Sequence, residues 1–450
     1  MFGDETDNFI IEGRLSMNNL NVSRIEQFRQ LKSTIRGNKN ILIVGIDVSK
    51  RSSVACITDA SGTIYMKKFK FLNSVAGAND IMKKALSIKQ SLIKKDIVWA
   101  LEPTGNYHKP LAAFLLRHAC MVVGVSTVAA KENRKSLDGR WKKNDPKDAH
   151  NVADLVSQGK MFFYNDNPQA QTMKQLLKLR QRFAKELSAT KARLRNNHFA
   201  LFFPEIDGLY TDISHPEVLM LLRHYPTAED IRAVSFEQFQ SIFRHRKVSR
   251  VSQQRIYELW HRAQQSIALP KIPSVNIEIK STLELIASLQ QQITSIERHL
   301  EKICSLNPAY RRLLSLPGYG PIISATFLAA VGSIDCFSKA SQLTKLAGLD
   351  LEYVHSGTFK GIAKVSKKGN SLLRYKLCSA AIYALNNPTI RSLQNAYLTR
   401  RENTSQNKAK FRIKLADKLL RTAFAILKHQ HSFDMDTFLN PVNQSLRLST

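Results

Sequence analysis

Ile41-Leu42-Ile43-Val44-Gly45-Ile46-Asp47-Val48-Ser49-Lys50 (ILIVGIDVSK) decides how the rest of the chain is read. Ile41 to Val44 and Ile46 make the short unbroken apolar run of a strand buried on both faces. Asp47 closes that run, where a buried sheet meets solvent. A charge there costs several kcal/mol unless it is paired or holds a metal, so its presence points to a use. An Asp that merely opens a turn satisfies the same stretch. The flanking segments have to decide between the two.

Downstream, Ser53 to Thr58 (SVACIT) is a second strand run, Asp59 to Gly62 is turn chemistry and Thr63 to Phe71 is a third strand. Such short links impose three consecutive antiparallel strands. A helix over Val75 to Lys94 follows. Ile97 to Leu101 (IVWAL) is a fourth strand that Pro103 stops, which puts Glu102 at its last position. Asn106 to Cys120 reads as helix and Met121 to Val125 as a fifth strand. The basic stretch Lys131 to Lys143 then leads to Asp145-Pro146-Lys147-Asp148, N-cap followed by N1 of a helix running to Gln158. Upstream, residues 1–39 open with acidic and polar residues and give an ambiguous helical stretch over Ile25 to Ile35 that ends at Gly37. They read as a mobile extension.

Three antiparallel strands, helix, strand, helix, strand, helix is the order of the ribonuclease H fold, an α/β class. Its chemistry takes acids from the first strand, the end of the fourth and a late helix. Asp47, Glu102, Asp145 and Asp148 hold those places. Four carboxylates converging at sheet ends repel one another, whereas two hard divalent ions about 4 Å apart would neutralise them. Neutralising any of the four is then expected to raise the melting temperature of the metal-free protein. For Asp145 and Asp148 taken alone, capping the helix and favouring its dipole is an equally good account.

The 450-residue length suggests two to four domains, and the 43% apolar share is ordinary for a soluble chain. Lys and Arg number 67 against 36 Asp and Glu, a net charge of +31 and a pI near 10.0. An excess of that size argues for a polyanionic partner, because each phosphate contact releases counterions. With no apolar run long enough for a membrane span and no signal pattern at the amino terminus, a cytoplasmic protein with a nucleic-acid partner and no membrane association is expected. Cys56, Cys120, Cys304, Cys336 and Cys378 have no paired spacing, which excludes a zinc knuckle and a disulfide framework.

Gln169 to Leu306 is expected to be helical throughout. Lys174 to Arg195 carries eight Lys or Arg and one acid, Glu186, interleaved with Leu176, Phe183, Leu187 and Leu194. Such a helix packs one face and either solvates the other or offers it to phosphate. Ile279, Ile286, Ile293 and Leu300, with Thr282, Leu289, Ile296 and Ile303 three residues after each, form an a/d heptad pattern that predicts a coiled coil. It pairs either with the Lys174 to Arg195 helix of the same chain or with another subunit. From Leu316 to Gly332, LPGYGPIISATFLAAVG has the turn of a helix-hairpin-helix. Gly318 and Gly320 there free backbone N–H groups for phosphate, or simply make a tight helix connection. Between Lys360 and Lys376 lie six Lys or Arg and no acid. Lys360, Lys364, Lys367, Lys368 and Arg374, with Gly357, Gly361 and Gly369, leave a backbone that a polyanion can approach. The expected divisions are thus residues 1–39, 40–160, 169–306, 310–390 and a basic helical tail, 391–450.

GIDVSK, LEPTGNYH and KKNDPKDAH resemble the amino-terminal domain of the DEDD transposases of insertion sequences, a group that includes the Piv DNA invertase and the bridge-RNA-guided recombinases. The block LAGLDLEYVHSGTFKGIAKVSKKGNSLLRYKL resembles the carboxy-terminal domain of the same family. The resemblance implies a RuvC-like, ribonuclease H-like domain whose metal-binding tetrad is Asp47, Glu102, Asp145 and Asp148, loaded with Mg2+ or Mn2+; Thr104, Gly105 and Tyr107 fit the same motif. It implies a coiled coil that helps hold a homo-oligomer, dimer or tetramer, together. It also implies that Ser356, of the Ser356-Gly357 dipeptide, is the nucleophile on a DNA phosphate. Taken alone, a Ser before Gly in a polar loop is a turn residue. Asn144 and Leu351 depart from the family, which often has Thr and usually Pro there. The expected activity is cleavage and rejoining of DNA strands by a nucleoid-associated transposase, guided by an RNA encoded beside the gene. A Holliday-junction-type endonuclease, a site-specific DNA invertase and a non-catalytic nucleic-acid-binding protein are the alternatives.

Overall fold

A computed structural model describes residues 24–103, 105–137, 145–164, 168–244, 250–352, 355–356, 359–360 and 364–439. Thr104, Asn144, Gly357 and Gly361 lie outside them, as do the side chains of Asp145, Ser356 and Lys360. The chain forms two compact units, one from the chain up to Pro168 together with Ser333–Leu343, the other from Gln169–Gly332 together with the chain from Thr344 onward.

In chain order the first unit consists of α1 (Arg24–Ile35), β1 (Ile41–Val48), β2 (Ser52–Asp59), β3 (Ile64–Leu72), α2 (Val75–Ser91), β4 (Asp96–Leu101), α3 (His108–Arg117), β5 (Met121–Gly124), α4 (Thr127–Leu137), α5 (Asp145–Ser157) and β6 (Phe162–Phe163). The sheet order is β3-β2-β1-β4-β5-β6. The first three strands are antiparallel, β4 and β5 run parallel to β1, and β6 returns antiparallel on β5. This mixed sheet between helices is consistent with the ribonuclease H-like expectation. Its register follows from β1. Leu42, Val44 and Ile46 pack with Ala78 and Ile81 of α2 and Leu111 and Leu115 of α3. Ile41 and Ile43 point the other way, into a core with Val152 and Val156 of α5. A central strand with two buried faces has to be apolar at every position, as Ile41 to Val44 are. The outer strand β3 instead exposes Lys67, Lys68 and Lys70, charges that discourage further strand addition.

Three expectations give way here. Leu31 and Ile35 of α1 are buried in the α5-side core, so the segment from Arg24 is part of the unit and not a mobile extension. Thr127–Leu137 is a helix, where a basic connecting stretch is expected from its charges. Strand β4 ends at Leu101, so Glu102 follows it and does not close it.

Asp59, at the end of β2, is a charge that the fold does use structurally. Burial would raise its carboxyl, but hydrogen bonds from the Ser61 and Tyr65 hydroxyls and from the Ser61 and Thr63 N–H groups outweigh burial and hold it at about 2. Lys94 Nζ lies 3.3 Å away. A lowered carboxyl pKa contributes stability above the unfolded value, near pH 4, that is lost as pH falls towards 2. Between those limits the wild type is expected to lose roughly 2 kcal/mol through this group. In acid-dependent urea unfolding, Asp59→Asn should start lower at pH 7 and show a correspondingly shallower loss.

The second unit is mainly helical. Its α6 (Pro168–Arg193) lies along α7 (Ser274–Ser305), with Met173 meeting Cys304 and Arg180 meeting Glu297. Seven residues forward on α6 match seven backward on α7, so the two helices are antiparallel. Ile279, Ile286, Leu289, Ile296 and Leu300 of the heptad stripe are buried, and Leu283 is buried beside the half-exposed Thr282. Residues between the two helices add a helical core around Phe199, Phe203 and Phe239. Then come α8 (Pro321–Val331), α9 (Ser371–Ala384) and α10 (Ser405–His429), with α10 packing on α9. Phe411, Leu415, Leu419 and Ile426 of α10 are buried, so the expected separate tail and the expected divisions after 306 and 390 merge into one unit.

Candidate functional site

Two of the acids expected to act together share one side of the sheet. Side chains alternate along a strand. Since Ile41 and Ile43 face α5, Gly45 and Asp47 do too, and a Cβ on Gly45 would stand 2.3 Å from the Ala149 carbonyl oxygen. Only glycine lets the start of α5 come down on β1 at that point. Asp148 immediately precedes Ala149. On β4, Val98 and Ala100 face α5, and Glu102 follows directly after the strand. The last parallel pair is Ile46 with Leu101, so Asp47 and Glu102 each come next in their chains after it. Asp47 and Glu102 are half-buried, and Asp148 is 2% exposed. Asp145 opens α5 one turn before Ala149.

Asp148 is held by a residue that the sequence reading did not single out. Arg134 Nε of α4 lies 2.6 Å from Asp148 Oδ1. Helix α4 is fastened to α5 by Asn133, whose amide donates to Asn151 Oδ1 at 2.9 Å and Asp154 Oδ2 at 2.6 Å. Asn151 in turn donates to the Ala130 carbonyl at 2.8 Å. Ala129-Ala130 followed by Asn133-Arg134, one turn on, is the only sequence signal for this helix. The ion pair overturns the expectation that neutralising any of the four acids stabilises the metal-free protein, since Asp148 has a cation beside it. Arg134→Ala leaves a buried carboxylate uncompensated and should cost about 3 kcal/mol. Arg134→Lys should recover part of that loss in denaturant unfolding, and an unchanged midpoint for Arg134→Ala would contradict the buried pair.

A donor set made only of carboxylates suits a hard divalent ion such as Mg2+ or Mn2+. Among the described residues, no three His, Cys, Asp or Glu side chains stand close enough to hold one, the Asp145 side chain being outside that set.

In the second unit, Ser356 lies in one of two short two-stranded pairings. One pairs Leu351–Glu352 with Lys364–Val365, and the other pairs His355–Ser356 with Phe359–Lys360. Ser356 stands opposite Phe359. The Leu351–Val365 pairing is flanked by further bonds. Ser366 N–H donates to the Asp350 carbonyl at 2.8 Å, and Arg374 Nη1 donates to the carbonyls of Ala347 at 2.9 Å and Lys367 at 3.2 Å. Arg374, expected at nucleic acid, thus has its guanidinium engaged by the backbone. Lys368 pairs with Glu352 on the surface, and Lys364 and Lys367 are exposed beside them.

Gly318 takes positive φ and packs against α9, where a Cβ would lie 2.1 Å from the Ala380 carbonyl oxygen. Its glycine is required by that close approach, which is the connection reading. Gly320 caps α8 with open space around its Cα.

Residues 44–204 match the family model of the DEDD, IS110-type transposases, and residues 310–395 match that of the transposase IS116/IS110/IS902 family. The chain is similar to an uncharacterised 44.8 kDa protein of insertion element IS116 from Streptomyces clavuligerus, at 23% identity over 77% of this chain and 85% of that one. It is also similar to the transposase for insertion sequence element IS1111A of Coxiella burnetii, at 22% identity over 80% and 82% of the two chains. An uncharacterised 42 kDa protein of insertion element IS900 from Mycobacterium paratuberculosis is 26% identical over 47% of this chain and 52% of its own.

Proposed function

The chain belongs to the insertion-sequence transposases of the IS110/IS116 type, and from that membership we propose that it cuts and rejoins DNA strands with a metal-dependent acid tetrad and a serine nucleophile. What supports the proposal is Asp47 on the α5 side of β1, Asp148 next to the residue of α5 that Gly45 admits, Glu102 directly after β4 and Asp145 on the first turn of α5. Those four residues would hold one or two divalent cations, which when bound supply positive charge to the oxygens of the scissile phosphate.

Ser356 Oγ attacks the phosphorus. One phosphodiester oxygen leaves with its strand and takes a proton, and the serine hydroxyl gives one up. The ester formed on Ser356 conserves the bond energy, so the hydroxyl of a second strand can displace the serine and reseal the backbone. Binding of a guide RNA is part of the proposal, resting on the net charge of +31 and on the resemblance to guided recombinases. RNA that co-purifies from the native host should map beside the gene; random transcripts alone would remove guidance and leave DNA chemistry standing.

Assembly as a dimer or tetramer is proposed from the resemblance alone, because α6 of the same chain already lies along α7. Strand cleavage of element-end DNA in Mg2+, lost in EDTA, is the first test of the whole reading. Products bearing free ends without protein attached would favour the junction-nuclease alternative.

A further inference from the structure

Between α6, α8 and α9 lies a trough of about 530 Å³, inside the 300–1,000 Å³ range of built ligand sites. One wall is a single face of α6, carrying Arg180, Gln181, Lys185 and Ser188. The other is the first turns of α9, with Ser371, Tyr375 and Lys376, and the floor is apolar, from Leu177, Ala184, Ile322 and Leu372. Among the described residues, no carboxylate lines it. Tyr375 is 61% exposed. The Lys376 ammonium lies 5.4 Å from the centre of that ring. Arg180 is fixed from behind by Glu297, at 2.7 Å from Nε and 2.6 Å from Nη2.

We propose that this trough binds single-stranded nucleic acid, with one base stacked on Tyr375 and the flanking phosphates met by Lys185, Lys376 and Arg180. The proposal rests on the nucleic-acid function proposed above and says where an unpaired strand would lie. An exposed ring among cations is how proteins hold single strands, since every base has a face to stack and every nucleotide a phosphate to neutralise. A double helix keeps its bases inside, so it could touch the rim cations and leave Tyr375 unused. The state of Lys376 agrees with an anion arriving there. Burial, with Arg180 nearby, holds its amine below the ordinary lysine value, and a phosphate beside it would counter the repulsion from Arg180. The face of α6 that the sequence leaves open between solvent and phosphate is here one wall of a shaped site.

The test uses the full chain and fluorescence anisotropy with a 20-nucleotide single-stranded RNA, the DNA of the same sequence, and the matching DNA duplex. Tyr375→Ala should weaken single-strand binding roughly tenfold or more. Tyr375→Phe should stay within about twofold of wild type, and duplex affinity should not change in either variant. Lys185→Ala should lower the slope of log affinity against log salt by about 0.7 for single strands. Tyr375 and Lys185 are exposed, so circular dichroism and melting temperature should match wild type. Tighter binding of RNA than DNA would assign the occupant to RNA through its 2′-hydroxyls, and the reverse to DNA. Wild-type single-strand affinity in Tyr375→Ala, or equal losses on strand and duplex, would overturn the site. So would oligoglutamate of matched charge that binds as tightly as the strand and loses as much in Tyr375→Ala, which would mark an acidic protein segment as the occupant. A wild-type chain that binds neither strand nor duplex would instead fail the function proposed above.

Discussion

Asp47→Asn protein is expected to lose cleavage of element-end DNA in Mg2+ by at least about a thousandfold, the equivalent of roughly 4 kcal/mol of transition-state stabilisation. The substitution keeps the size and shape of the side chain and removes its charge. It falls at the one half-buried position of β1, after a run that is otherwise fully buried. The backbone ladder that holds it, Asp47 opposite Val54 on β2, does not depend on the carboxylate. The protein should therefore fold and bind DNA while failing to cut it. Asp80→Asn, the same change on an exposed position of α2, controls for loss of charge alone and should cleave at the wild-type rate. Full activity in Asp47→Asn would detach the acid from the chemistry and return it to the role of a strand-end residue.

Much of the first unit was legible because its strands are continuous apolar runs with turn residues between them. Ile41 to Ile46, SVACIT and IVWAL each carry enough β-branched or bulky residues to exclude a solvated loop, and the order of strands and helices then left few topologies. Asp47 and Glu102 stood out because each follows such a run. Helix α4 was not legible, since its apolar side is only Ala129, Ala130 and their neighbours and its charges suggest a surface connection. With it went Arg134, whose pairing with Asp148 depends on the Asn133 and Asn151 bonds between two helices. The stripe Phe411, Leu415 and Leu419 on α10 was readable at helical spacing. Its partner was not, because packing on α9 joins residues far apart in the chain and no local pattern encodes it. The same holds for Gly318, whose sequence context fits a phosphate-binding turn while its neighbour is the backbone of α9.

The central claim is that Ser356, and not water, attacks the phosphate. Ser356→Ala removes one oxygen and leaves the backbone pairing of His355–Ser356 with Phe359–Lys360 untouched. Folding and DNA affinity should hardly change, whereas recombination should fall below detection, because the ester that conserves the phosphodiester energy can no longer form. A water-using nuclease would tolerate the change. Asp148→Asn should also stop the reaction before any ester forms, if acids and serine serve one phosphate.

The most direct measurement is to stop a reaction on end-labelled DNA with denaturant and look for label that migrates with the protein. Wild type should give a covalent adduct that survives denaturation and maps to the peptide containing Ser356, and Ser356→Ala and Asp148→Asn should give none. Recombination by Ser356→Ala at the wild-type rate, or free cleaved ends with no adduct from wild type, would contradict the account.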